Sequence, residues 1–228
     1  MTVELIVDFP LQGEWFVGAD GTEPGHELAF DFIRLDTKLR ATQKSSLHEL
    51  LTAVPLEMYL GWGQPILSPF NGRVVTAVDG CSEKSQSFIM AMWDGLSAAV
   101  SPTQRQQLET LQTEGGDISP LAGNHLVIES TESEGVFAFI AHARRGSITL
   151  RAGDIVCAHQ QVAEVGNSGS SMAPHLHFHL MSDPSPQSVQ VIPFKFARYE
   201  VFVKGEWRLQ ERALPKKRQR IRSIAPAA

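Results

Sequence analysis

A mainly β fold is predicted by this sequence, as an antiparallel sheet or sandwich with short helical insertions. Short apolar runs rich in Val, Ile and Phe recur along the chain, and Gly- and Asn-bearing turns separate them. Helical signals are confined to two brief stretches. Such a succession of strands favours an antiparallel sheet over an alternating α/β arrangement.

The elements follow from local chemistry. Phe30-Asp31-Phe32-Ile33 is a strand-like run that carries one carboxylate. Arg73 to Val78 starts after the turn pair Asn71-Gly72, Leu126 to Glu129 is a compact β-branched run, and Val136 to Ala141 opens after Gly135. Alternation puts Val136, Ala138, Ile140 and His142 on one face of this last strand, with His142 at its exit. Val162 to Val165 and His175 to Met181 read as two further strands. Tyr199 to Val203 and Glu206 to Leu209 flank Lys204-Gly205 and predict a hairpin.

The helical insertions carry capping signals. Ser101-Pro102-Thr103-Gln104 is a capping box with proline at the first helical position, which predicts a helix from about Pro102 to Gln112. A shorter one begins at Ser46, with Glu49 three residues on and Leu47, Leu50 and Leu51 along it. Lys216-Lys217-Arg218-Gln219-Arg220-Ile221-Arg222 reads as a basic, solvated and disordered tail. The expected division is a main body over 1–185, a hairpin extension over 186–212 and the tail over 213–228.

Composition bounds the function. At 228 residues the chain can bury a full core, and its formal charge of -5 argues against a general nucleic-acid binder. No run reaches the length of a membrane helix, and Val3 to Val7 is too short and too acidic for a signal-peptide core. On this reading the chain has no general export signal. Cys81 and Cys157 form no zinc knuckle or redox motif, and two reduced structural thiols are expected, with Cys157 among Ile155, Val156 and Ala158.

The most informative stretch is Pro174-His175-Leu176-His177-Phe178-His179-Leu180. Alternation sends Leu176, Phe178 and Leu180 to a core, while His175, His177 and His179 line the opposite face. Neutral imidazole binds zinc, and an unbound one titrates near neutral pH as an acid or base. Two other places offer partners, namely His26 with Asp31 five positions on, and His142. Asp31 lies among apolar neighbours, so it requires a metal or a strong hydrogen-bond donor.

Taken in order, these segments resemble the lysostaphin-type or LytM-like zinc metallopeptidases, which cut peptide cross-links of bacterial cell walls. The resemblance spans most of residues 10 to 182. It runs through Gly63 to Pro69, Asn71 to Val75, Gly123 to Ile128, Ala141-His142, Ala152 to Val156, Val165 to Gly169, and Pro174 to Phe178. It implies one zinc ion held by His26, Asp31 and His177, with His142 and His175 catalytic, and His179 as a supporting or surface residue. The first motif departs from the family pattern, because four residues rather than three separate His26 from Asp31. The implied domain is 1–185, and the stretch from about 81 to 123, longer than the family's usual connection, is an insertion that either borders the substrate groove or is a passive excursion.

The resemblance implies a zinc endopeptidase acting on peptidoglycan stem peptides or cross-bridges. Two alternatives stay open: a catalytically silent LytM-like module that binds wall or activates a partner hydrolase, and a zinc peptidase acting on ordinary proteins. The family chemistry implies a place in the bacterial envelope or outside the cell.

Overall fold

The structure is a computed structural model that describes residues 4–22, 28–43, 53–85, 117–185 and 190–224. Thirteen strands are present among these residues: β1 (Ile6–Val7), β2 (Glu14–Asp20), β3 (Phe30–Ile33), β4 (Pro65–Leu67), β5 (Gly72–Val78), β6 (Asn124–Ser130), β7 (Phe137–Ala143), β8 (Ile155–Val156), β9 (Gln161–Glu164), β10 (His175–Met181), β11 (Lys195–Val203), β12 (Glu206–Ala213) and β13 (Arg220–Arg222). A one-turn helix α1 (Ser119–Ala122) and a 3-10 turn at Leu56–Met58 accompany them. The predicted mainly β, antiparallel class is thus the observed one. The helices predicted from Ser46 and over Pro102 to Gln112 lie outside the described residues.

Eleven strands form one sheet in the order β1-β11-β13-β2-β3-β10-β7-β6-β5-β8, with β12 paired to β11, and β4 and β9 form a separate pair. All pairings are antiparallel except that of β1 with β11. The central strands β3, β10 and β7 are far apart in sequence but adjacent in space. Their core face is built by alternation: Phe30 and Phe32 of β3, Leu176, Phe178 and Leu180 of β10, and Ala138 and Ile140 of β7 are fully buried in one cluster. Phe9, Phe194 and Phe196 pack edge-on against Phe30, Phe32 and Phe178, with ring centroids 5.0–5.9 Å apart. This aromatic layer gives the opposite face a stiff backing.

That opposite face carries a smaller apolar patch, made of Ala122, Val127, Phe137, Phe139, Ala141 and Met181. Strict alternation would send His142 to the core beside Ile140. The structure corrects this reading. Leu126 pairs with Ile140 but Asn124 pairs with Ala143, so β7 holds one extra residue there, and His142 has φ 62°. This β-bulge changes the phase of the strand, returning Ala143 to the core and turning the His142 ring to the other face. Histidine is among the residues that tolerate a positive φ.

Two further expectations are corrected. The basic run is not a disordered tail, because Arg220–Arg222 forms β13 between β2 and β11, pairing Ile221 with Trp15 and with Val201. Its charges hid an alternating pattern: Ile221 is fully buried, while Arg220 and Arg222 point away from it to Glu14 and Glu200. Cys81 and Cys157 are both free thiols, but Cys157 is exposed, because Ile155 beside it points outward and only Val156 enters the core. The hairpin is observed with longer arms than predicted, turning at Lys204 (φ 52°) and Gly205 (φ 91°) as a tight reversal requires.

Candidate active site

The site is a row of cross-strand neighbours. Register places His177 of β10 directly between Asp31 of β3 and Ala141 of β7, and one step along it places His179 opposite Phe139. Directly opposed residues of antiparallel strands hold their side chains about 5 Å apart, so the pairing alone brings the carboxylate to the imidazole. His177 Nδ1–H donates to Asp31 Oδ1 at 2.9 Å, and His175 Nε2 stands 3.6 Å from the same oxygen. The bulge delivers His142 beside them, its ring centroid 4.7 Å from that of His175 and 5.9 Å from that of His177.

The strand β2 is also bulged next to Asp31, between Val17 and Ala19. Gly18 occupies that position, and a Cβ there would stand 2.9 Å from Ile33 Cδ1.

Backbone carbonyls fix the two outer rings. His142 Nδ1–H donates to Ser168 O at 2.9 Å, and His175 Nδ1–H donates to Ala173 O at 2.8 Å with Ser171 Oγ 3.0 Å away. In the neutral ring each Nε2 then carries the lone pair. His177 is held the other way, its Nδ1 toward Asp31 and its Nε2 3.1 Å from His179 Nδ1. The loop that supplies Ser168 is packed tightly, since a Cβ on Gly166 would fall on the backbone of Arg144.

The electrostatics follow from this packing. Burial alone would raise the Asp31 carboxyl, but the hydrogen bond from His177 and the charges available on His175, His177 and His142 outweigh it and hold the group well below the usual carboxylate range. Burial pushes His142 well below the ordinary imidazole value, and the neighbouring charges of His175 and His177 add to the effect. His142 is neutral at pH 7 for this reason.

Asp31, His142, His175 and His177 are thus brought together, with His179 in contact with His177. His26 lies outside the described residues. Sequence reasoning missed His125 on the same face, buried at 3% exposure, with Nδ1–H donated to Gly123 O at 2.8 Å and its ring 5.7 Å from that of Phe139. Its position opposite in phase to Leu126 was the available signal.

The donor set suits zinc. The Oδ1–Nδ1 separation of 2.9 Å between Asp31 and His177 is a few tenths below the spacing of two ligand atoms on one tetrahedral zinc, about 3.3 Å for bonds near 2.0–2.1 Å. Among the described residues no group of three or more His, Cys, Asp or Glu stands in a metal-holding arrangement. The two described donors nevertheless fit a metal between them, and the expected third, His26, is not among those residues.

Fold and site define a class: a mainly β chain with a carboxylate and clustered imidazoles on one face of an antiparallel sheet. Residues 110–189 match the family model described as Peptidase family M23, the same class that the residues resemble. His142, His175, His177 and His179 fall within the matched residues, and Asp31 precedes them. No curated protein matches the chain. Among solved structures, the chain is similar to the catalytic domain of a mutant of the prophage-encoded M23 protein EnpA from Enterococcus faecalis, at 17% identity and TM-score 0.42, covering 78% of this chain and 87% of that one. It is similar to the catalytic domain of the antimicrobial peptidase lysostaphin from Staphylococcus simulans at 17% identity and TM-score 0.40, covering 80% and 87%. A zinc-containing peptidase from Vibrio cholerae gives 18% identity and TM-score 0.38, covering 78% of this chain and 37% of that one.

Proposed function

We propose that this chain is a zinc-dependent endopeptidase that hydrolyses peptide bonds in peptidoglycan stem peptides or cross-bridges. The observation that carries the reading is the convergence of Asp31, His142, His175 and His177 on one sheet face, with Asp31 and His177 2.9 Å apart and the His142 and His175 rings at 4.7 Å. The peptidoglycan substrate rests on the ordered resemblance to lysostaphin-type enzymes, and the peptidase class on the M23 match.

Asp31 and His177, with His26, would hold the metal. When bound, zinc supplies Lewis acidity toward a carbonyl oxygen and lowers the pKa of water toward neutrality. Asp31 reaches the site already ionised, so the proton that metal binding must displace is the one on His177 Nδ1. His142 presents a neutral Nε2 lone pair at pH 7 and accepts the proton of the attacking water, while its Nδ1–H stays on Ser168 O. His175 presents Nε2 toward the same space; in its imidazolium form, with Nδ1–H on Ala173 O, its Nε2–H donates to the developing oxyanion, and the proton that His142 took from the water passes to the departing amine.

The test is metal analysis of the purified chain, followed by measurement of new amino termini released from isolated cell wall and from an unfolded control protein. One zinc per chain and wall-selective release, abolished by a chelator and restored by zinc, is the expected result. Release from the control protein alone would transfer the enzyme to general proteolysis, and no release with zinc bound would overturn the reading.

A further inference from the structure

We infer that Glu83 is a positioning residue for His142, a carboxylate clamp that holds together the two backbone segments on which the orientation of this ring depends. The inference rests on the peptidase reading only for what His142 does; the clamp itself rests on geometry.

Glu83 stands just before residues 86–116 and forms an isolated antiparallel bridge with Ser168. Its Oε1 accepts from Asn167 N at 2.9 Å and from Trp62 Nε1 at 3.1 Å, and its Oε2 accepts from Arg145 N at 3.3 Å. The first donor is the residue immediately before Ser168, whose carbonyl takes the His142 Nδ1–H. The third lies three residues after His142, beyond the end of β7. One carboxylate therefore ties the exit of the strand that carries the ring to the loop that orients it. Lys84 reinforces the contact, since Asn167 Nδ2 donates to its carbonyl at 2.6 Å.

Such a clamp answers a local need. His142 has φ 62°, a conformation that persists only where the surroundings over-determine it. A carboxylate accepts several N–H groups at once and forms charge-assisted bonds stronger than neutral ones, and Trp62 is itself held under Arg144, whose guanidinium lies 4.3 Å from the ring centroid. The loop is also gripped from its other side, by Asn124 N on Ser168 Oγ at 2.9 Å and by Ser170 N on Leu121 O at 2.9 Å. Ser168 Oγ also donates to Ala143 O at 2.8 Å and Gly166 N to His142 O at 3.1 Å, so loss of Glu83 should leave the loop folded and loosen, at Asn167, the setting of the Ser168 carbonyl against the ring.

The test uses the full chain with Glu83→Ala and Glu83→Gln, reading the imidazole nitrogen resonances of His142 by NMR, together with kcat, KM and zinc content. The parent should show one tautomer with the proton on Nδ1. Glu83→Ala should shift these resonances toward a tautomer mixture and lower kcat about tenfold, with KM within about twofold and zinc unchanged, as expected for a displaced catalytic group. Glu83→Gln, which keeps the Oε1 acceptor and loses the Arg145 contact, should fall between the two and decides the matter if the alanine variant does not fold. His142 resonances identical to those of the parent in either folded variant would overturn the clamp. A parent chain that cleaves no substrate overturns the peptidase reading, while the resonances still decide whether Glu83 orients the ring.

Discussion

At the scale of the residue, the two kinds of histidine are separated by which nitrogen the protein occupies. His177 turns Nδ1 to Asp31, whereas His142 and His175 spend Nδ1 on backbone carbonyls and present Nε2. This division predicts different losses. Asp31→Ala and His177→Ala should remove most bound zinc, while His142→Ala and His175→Ala should keep it and lose at least about a hundredfold in turnover; stoichiometric zinc in His177→Ala would shift the assignment to His179. A second prediction concerns acid. His125 and His142 are buried with pKa values depressed below 6.5, so the unfolded chain binds protons that the folded one refuses, and stability present above that value is lost as pH falls below it. The drop in Tm between about pH 7 and about pH 5 should shrink in His125→Gln, whose amide can still donate to the Gly123 carbonyl.

At the scale of the element, the bulge of β7 decides whether an imidazole faces the core or the site. It was not legible in the sequence, because perfect alternation through Ala138, Ile140 and His142 conceals one extra residue whose presence is fixed by pairing with β6. The strand of three histidines was legible from Pro174 onward, since its hydrophobic and polar residues alternate without interruption and both of its faces are used. β13 was not, because a run of five cations reads as solvated unless Trp15, Val201, Glu14 and Glu200 are known to surround it. The bulge makes a test of its own. At position 142 the usual preference for alanine over glycine in a strand should reverse, with His142→Gly more stable than His142→Ala by about 1 kcal/mol, since only glycine adopts a positive φ without cost. Denaturant unfolding of the two variants gives the difference directly, and equal midpoints would show that the bulge relaxes once the ring is gone.

At the scale of the whole molecule, one sheet joins residues near both ends of the described chain to the site. β13 fills the space between β2 and β11, so its burial supports the strand that borders β3 and Asp31. Ile221→Ala should cost about 2–5 kcal/mol of stability, the range for deleting a fully buried aliphatic side chain, although the residue lies far from the chemistry. A surface-like cost below about 0.5 kcal/mol would show that β13 is dispensable. The same architecture fixes when a working site can first exist. Asp31 and His177 are neighbours across two strands but 146 residues apart along the chain. At synthesis rates of about 5–20 residues per second, the carboxylate waits on the order of ten seconds for its histidine to be made. Pairing of β3 with β10 then joins the two in a single closure, so a ribosome-bound fragment ending before residue 177 has the carboxylate without its partner, and under the proposed function it should hydrolyse nothing until β10 has been made.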